Sequence, residues 1–322
     1  LGVELIGFSK DIPTEPSLFE LAKVSENMKS ITGDIRNFSV IQRIIQENQP
    51  EIIIHMAAQS LVRESYENPI NTFSTNIMGT VNLLESLKES KKTQVVINVT
   101  SDKCYENNNL GNSFSENSPM GGYDPYSSSK GCAELVTSAY RRSFLQDQGI
   151  GLASVRAGNV IGGGDWAEDR LIPDILRSFE KSEPVIIRNP KSIRPWQYVL
   201  EPLTGYLILA QKMYNDTDKY AEGWNFGPND QDARSVNWIL DRMIDKWPNA
   251  SWVLDESSNY HEANFLKLDS LKAELKLGWR PIWELGYTLE KIINWHKAWM
   301  NKEDMQAMCL AEIEEYTNDM KK

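Results

Sequence analysis

"QVVINVTSDKCY", residues 94–105, runs from an apolar stretch of strand-forming residues directly into a hydroxyl, a carboxylate and an ammonium. The apolar half reads as a β-strand that the polar cluster ends. In open α/β sheets, ligands bind beyond the carboxyl ends of the strands. Ser101, Asp102 and Lys103 therefore stand where chemistry is expected, and a hydroxyl at position 101 could orient a substrate alcohol.

Downstream, "PYSSSKGCAE" (125–134) sets Tyr126 four positions before Lys130. Asp124 and Pro125 fit a helix N-cap and first helical position, which puts Tyr126 and Lys130 on one helical face. Tyrosine titrates near pH ~10 and is a poor base at neutral pH unless a cation stabilises its phenolate. Lys130 is placed to help do that. The pair alone arises readily by chance, with a surface tyrosine beside a solvated lysine as the alternative, so the strand-end cluster upstream supplies the deciding context.

Toward the N-terminus, "VELIGF" (3–8), "SVIQRIIQEN" (39–48), "EIIIHMA" (51–57) and a long amphipathic stretch precede the strand at 94–100. Strands alternating with helices at this rhythm mean βαβ crossovers and a mainly parallel sheet. The expected fold class is α/β: a Rossmann-like doubly wound parallel sheet with a smaller C-terminal substrate-binding lobe. The expected division is a dinucleotide-binding domain over 1–160 and a lobe over 161–322, with segments near 194–228 returning to the first domain. All ten tryptophans lie at or beyond Trp166, a composition shift that fits a separate lobe. In the amphipathic stretch, Ile70, Phe73, Ile77, Val81, Leu84 and Leu87 recur at steps of three and four, predicting one buried helical face that serves core packing more than dimer formation.

Nothing before "VELIGF" reads as a first strand and glycine-rich turn, the unit that holds a pyrophosphate in such sheets. With Leu rather than Met at position 1, the expectation is a fragment lacking one βα unit. That unit is central, so its loss would leave two inner sheet edges unpaired, destabilise the chain and weaken dinucleotide binding.

The 322 residues carry a formal charge of −11, and 41% are hydrophobic. That balance gives ample core for two lobes and argues against a phosphate-backbone binder, so nucleic acid is not an expected partner. Cys104, Cys132 and Cys309 lack paired spacing and His55, His261 and His296 are scattered, so neither a disulfide framework nor a metal site is expected. No stretch reads as a membrane helix and no signal-peptide pattern opens the sequence; a reducing cytoplasm is the expected compartment.

With the strand-end cluster and the tyrosine–lysine pair in place, the chain resembles the extended short-chain dehydrogenase/reductases, whose Ser/Thr, Tyr and Lys constellation matches Ser101, Tyr126 and Lys130 in spacing. "GDIR" (33–36), "HMAAQS" (55–60) and Asn76 agree with it. Over nearly its whole length the chain further resembles the CDP-glucose 4,6-dehydratase family, through "TSDKCYENN", "PMGGYDPYSSSKGCAELV", "SVRAGNVIGGGDWAEDRLIPDILRSF", "SIRPWQYVLEPL" and "LGWRPIW" (277–283). The tetrad "TSDK" separates it from relatives that carry a glutamate in place of Lys103. The run Gly162 to Gly164 lacks the Lys-Ser/Thr ending of a P-loop and reads as a flexible substrate loop.

This resemblance implies NAD as cofactor, CDP-glucose as small-molecule substrate and a homodimer. The implied cofactor contacts are Asp34, at the adenine, and Ile35; Ala57, Ala58, Gln59 and Asn76; and Tyr126 with Lys130, the lysine at the nicotinamide ribose. The implied substrate contacts are Ser101, Asn159, Arg170, Leu171 and Arg194, the last suited to a diphosphate by its guanidinium fork. The implied reaction is an oxidation, dehydration and reduction within one sugar. Tyr126 takes the proton of a carbon-4 hydroxyl held by Ser101 as hydride passes to NAD; Asp102 then protonates the departing carbon-6 hydroxyl, and hydride returns to carbon 6. Lys103 leaves the carbon-5 base open, because it acts either as a neutral amine that accepts the proton or as a cation that stabilises the enolate. The product would supply dideoxyhexoses for bacterial surface polysaccharide, including lipopolysaccharide O-antigen. Two competing readings use the same residues: another nucleotide-sugar 4,6-dehydratase or a 4-epimerase, the latter with no need of Asp102 and Lys103, and a non-catalytic nucleotide-sugar-binding module.

Overall fold

The computed structural model describes residues 2–107, 111, 113–255 and 266–322, so His261 and Asn108, the last residue of "TSDKCYENN", lie outside the described residues. Strands and helices alternate from the start: β1 (Ile6–Ser9), α1 (Leu18–Leu21), β2 (Lys29–Thr32), α2 (Phe38–Asn48), β3 (Ile52–His55), α3 (Val62–Glu67), α4 (Pro69–Phe73), a π-helical turn (Ser74–Met78), α5 (Gly79–Leu87), β4 (Val95–Val99), α6 (Pro125–Tyr140) and β5 (Gly151–Ala157). There follow β6 (Asn159–Ile161), α7 (Leu171–Glu180), β7 (Val185–Ile187), β8 (Ile193–Tyr198), α8 (Leu200–Asn215), α9 (Thr217–Tyr220) and β9 (Gly223–Phe226). The chain ends with β10 (Ala233–Ser235), α10 (Val236–Ile244), β11 (Trp252–Leu254), α11 (Leu271–Leu277), α12 (Leu285–Met300) and α13 (Met305–Asp319).

A four-stranded parallel sheet runs in the order β3-β4-β5-β9, and β1 pairs in parallel with β2 as a separate two-stranded sheet. Val95, Val96 and Ile97 of β4 are fully buried, as a central parallel strand requires. Val95 and Ile97 pack with Leu209 and Met213 of α8, while Val96 packs with Ile41 and Ile45 of α2 and Leu84 and Leu87 of α5. Helices thus cover both faces, the doubly wound arrangement expected from the alternation. Among the described residues no strand joins β1 to β3. Ile52 and Ile54 of β3 stand 45% and 38% exposed.

The predicted apolar face after Pro69 needs correction. Leu84 and Leu87 are buried as expected, but Ile70 is 82% exposed, and the buried residues ahead of them include the polar Thr72, Asn76 and Thr80. The π-helical turn at Ser74–Met78 adds a residue to one turn, and each added residue rotates the face by about 100°. The apolar row read with a constant helical period therefore drifts off the core side.

The second core gathers Ile172, Ile175 and Leu176 of α7, Trp196 and Tyr198 of β8, Ile239 and Leu240 of α10 and Ile292 of α12. Its sheet runs β10-β8-β6, with β8 parallel to β6 and antiparallel to β10. After β8 the chain returns to the parallel sheet: α8 packs on β4 and β5, and β9 pairs with β5. Trp224 and Trp279 lie in the core beneath that sheet, so the tryptophans are shared between both cores.

Candidate active site

β4 ends at Val99, and a short 3₁₀ turn (Asp102–Cys104) follows, started by Ser101, whose Oγ accepts the Lys103 N–H at 3.2 Å. Asp124 caps α6 by accepting the Ser127 N–H at 2.9 Å, with Pro125 at the first helical position, where a missing N–H costs nothing. α6 packs on the 3₁₀ turn. Gly131 makes this approach possible: a Cβ there would stand 2.5 Å from the Gly121 carbonyl oxygen. Folding thus joins the two stretches that the sequence singled out.

Tyr126, Ser101, Asp102 and Lys130 are all buried. Ser101 Oγ donates to Asp102 Oδ1 at 3.1 Å, and the Ser101 hydroxyl acts to lower the Tyr126 phenol. One serine hydroxyl carries one proton, and here it goes to the Asp102 carboxylate. Burial raises the Asp102 carboxyl to about 6 against the pull of Lys103, the Ser101 hydrogen bond and Arg194. Its Oδ2 is buried and has no hydrogen-bond partner among the described residues. Burial likewise pushes the Tyr126 phenol up to about 12, opposed by Ser101 and the charge of Arg170. Lys103 sets its Nζ 6.0 Å from the centre of the Tyr126 ring.

Lys130 donates from Nζ to the Val99 carbonyl at 3.3 Å, its one hydrogen bond among the described residues, so its ammonium is anchored on β4 rather than on the phenol. Burial lowers it to about 8, while Cys104 and Glu134 act to raise it. Glu134, one turn beyond Lys130, was not foreseen. It accepts Arg156 Nε at 2.8 Å and Nη2 at 2.7 Å, Thr100 Oγ1 at 2.5 Å and Ser154 Oγ at 2.6 Å. Arg156 Nη1 donates to the Tyr105 hydroxyl at 2.6 Å, which donates to Asn225 Oδ1 at 2.7 Å. Two signals point to this network: a third residue at the Tyr126/Lys130 step, and an arginine inside an otherwise buried strand, which demands a carboxylate.

On the opposite side of α6, Asn76 donates to Ser129 Oγ at 2.8 Å and to the Gln59 carbonyl at 2.9 Å, and accepts the Gln59 N–H at 2.8 Å. Ser129 Oγ in turn donates to the Tyr126 carbonyl at 2.7 Å. Asn76 therefore fixes the backbone just after the half-buried Ala57 and Ala58 to the helix bearing Tyr126 and Lys130. Asp34 lies beyond β2 in an ion pair with Arg36, whose hydrogen bonds hold its carboxyl down to about 2. Ile35 is buried against Gly79, where an added Cβ would meet its Cγ2 at 2.8 Å.

Four further candidates stand on the second half of the chain. Asn159 opens β6, and Leu171 opens α7 and packs against the second core. Arg170 donates to Ser60 Oγ at 2.8 Å, and Arg194 on β8 lies opposite Arg234 on β10. The electrostatic reach of Arg170 to Tyr126 and of Arg194 to Asp102 brings both toward the cluster.

A family model described as GDP-mannose 4,6 dehydratase matches residues 15–292. A CDP-glucose 4,6-dehydratase of Salmonella typhimurium is 56% identical over 98% of this chain and 90% of the relative. A dTDP-glucose 4,6-dehydratase of Haemophilus influenzae is 26% identical over 82% of this chain and 81% of its own. Among solved structures, a dTDP-glucose 4,6-dehydratase of Streptomyces venezuelae with NAD bound superposes with a TM-score of 0.75 at 22% identity, covering 94% of this chain and 90% of that one. A UDP-glucose 4-epimerase of Thermotoga maritima reaches 0.78 at 21%, covering 93% and 92%, so dehydratases and epimerases share this fold. By the family model and the 56% relative together, the chain belongs to the GDP-mannose 4,6-dehydratase family and sits with its CDP-glucose 4,6-dehydratases.

Proposed function

We propose that the chain is an NAD-dependent hydro-lyase that converts CDP-glucose to CDP-4-keto-6-deoxyglucose and water, acting in the cytoplasm as a homodimer. The observation that carries this is the buried cluster of Tyr126, Ser101 and Asp102, with a phenol to exchange a proton and a carboxyl raised to about 6 whose second oxygen has no hydrogen-bond partner among the described residues. A 4-epimerase needs only the phenol, whereas expelling a hydroxyl needs an acid. The 56% identity to a CDP-glucose 4,6-dehydratase supports the choice of sugar nucleotide.

The residues fit NAD. The buried Lys130 ammonium has one long hydrogen bond and donors to spare for a ribose diol; Asn76 stiffens the backbone at Gln59; Ala57 and Ala58 leave room beyond β3; Asp34 and Ile35 sit beyond β2. NAD, when bound, supplies the hydride acceptor and donor for carbons 4 and 6. The chain does the rest. Ser101 holds the carbon-4 hydroxyl and Tyr126 removes its proton. Asp102, when protonated, donates to the departing carbon-6 hydroxyl, and Lys103 attends carbon 5. Arg194 takes the diphosphate, and Asn159, Arg170 and Leu171 flank phosphate and base. Exposed Ile70, Met78, Leu135 and Phe144 offer apolar surface to a second copy. The product feeds dideoxyhexose supply for surface polysaccharide.

The test is mass spectrometry of CDP-, dTDP-, UDP- and GDP-sugars incubated with NAD and the protein. Loss of one water from CDP-glucose is expected. Turnover without mass change points to an epimerase, and unchanged sugars throughout point to a binding module.

A further inference from the structure

Residues 162–170 link β6 to α7 and carry Arg170. Three contacts tie this link to the first half of the chain. Gly164 packs so closely on α1 that a Cβ would stand 2.7 Å from Leu18 Cδ1. Arg170 Nη2 donates to Ser60 Oγ at 2.8 Å, and Asp169 Oδ1 accepts from Arg63 Nη1 at 2.8 Å. A second cation, Arg188, just beyond β7, brings Nη2 to 3.5 Å from the same oxygen.

Asp169 itself has φ 57°, the left-handed region that few residues other than glycine, asparagine and aspartate tolerate. It is the residue immediately before Arg170, so its backbone sets the direction in which Arg170 leaves the chain. A left-handed residue persists where its surroundings over-determine it. Here the surroundings are two arginines, Arg63 from the half bearing Ala57 and Gln59 and Arg188 from the other half.

We infer that Asp169 is a positioning residue for the nucleotide sugar: clamped between Arg63 and Arg188, it holds the left-handed turn that aims Arg170 across to Ser60. The clamp deepens the proposed dehydratase reading and rests on it for one of its readouts. Because the clamp spans both halves, filling the cofactor side and filling the substrate side draw on one set of contacts.

The test compares wild type with D169N, R63A and R63K. Asparagine tolerates the left-handed conformation, so D169N removes the charge without forcing the backbone to move. The Arg63–Asp169 pair is about a third exposed, so its removal is worth about two- to fivefold. The expected result is a KM for CDP-glucose raised by that factor in D169N and R63A, with kcat within about twofold and recovery in R63K. Raising salt should raise the wild-type KM and leave that of D169N nearly constant, because exposed pairs are screened. Equal KM and equal salt dependence in wild type and D169N would overturn the clamp, as would KM and kcat changing together with a lowered Tm. Titration of CDP against the same proteins separates the two readings. Weaker CDP binding by D169N without turnover in wild type keeps the clamp and removes the dehydratase; unchanged CDP binding with turnover does the reverse.

Discussion

The Glu134 carboxylate grips the Arg156 guanidinium side-on, Nε to Oε1 at 2.8 Å and Nη2 to Oε2 at 2.7 Å, with both side chains about 95% buried. The pair bolts α6 to β5 one turn beyond Lys130, so it fixes the helix from which Tyr126 and Lys130 project. Burial by itself would raise the Glu134 carboxyl, yet the Arg156 hydrogen bonds and charge hold it low.

Breaking this pair from one side leaves an uncompensated buried charge. R156M is expected to cost about 3–5 kcal/mol of stability and E134Q a similar amount, while the double change E134L/R156M should recover most of it. Denaturant unfolding of the three proteins checks this. Single variants within about 1 kcal/mol of wild type would refute it.

Asp102 should be a liability for stability. Its folded pKa of about 6 lies above the model 3.8, so the folded state holds the proton more tightly. Stability from this group is fully present below pH ~4 and is lost as pH rises through about 6. D102N should therefore match wild type near pH 4 and exceed it by about 2 kcal/mol above pH 7, while water release falls ~100-fold or more. Melting curves across that range and rates of water loss test both halves.

Y126F keeps the ring that fills the site and removes the hydroxyl proposed to transfer the proton. The fold should hold, and turnover should drop about 10²–10⁴-fold. In wild type, burial sets the phenol at about 12 in the free protein, so the rate should climb with pH through neutrality as the phenolate fraction grows, and Y126F should lack that slope. A pH–rate profile with the same alkaline slope in both proteins would remove Tyr126 as base.

On the proposed reaction, K103M should separate the first step from the second. Nicotinamide reduction, followed by absorbance in a single turnover, should stay within about tenfold of wild type while elimination falls by ~100-fold or more. Equal loss of both steps would place Lys103 in substrate binding instead.

His55 should mark the acid limb of stability. Its Nε2 lies 3.2 Å from Thr80 Oγ1, whose own proton goes to the Asn76 carbonyl at 2.7 Å, so the ring N–H is the donor. Burial, and then the charge of Lys130, lower its pKa from 6.5 to about 3. The unfolded chain binds the extra proton between those values, so this contribution is present above pH ~6.5 and is lost as pH falls toward about 3. The stability gap between wild type and H55Q should thus shrink by about 3 kcal/mol from pH 7 to pH 4. A gap independent of pH would mean that His55 takes up its proton as readily in the fold as in the unfolded chain.

The sequence by itself determined what local rules control. The strand at 95–99, the Asp124–Pro125 helix start and the shared face of Tyr126 and Lys130 depend on neighbours a few positions away, and each stands where the sequence puts it. Tertiary structure decided the rest, because it depends on what distant segments bring. The π-helical turn turned Ile70 out to solvent and put Asn76 against Gln59 and Ser129. Arg156 reached Glu134 only through the packing of α6 on β5, and Arg63 reached Asp169 only through the crossing of two halves. Above all, the charge states of the site are not properties of its residue types. The Asp102 carboxyl is raised to about 6 and the Lys130 ammonium lowered to about 8 because the fold removes water from both, and burial belongs to the assembled molecule rather than to the chain.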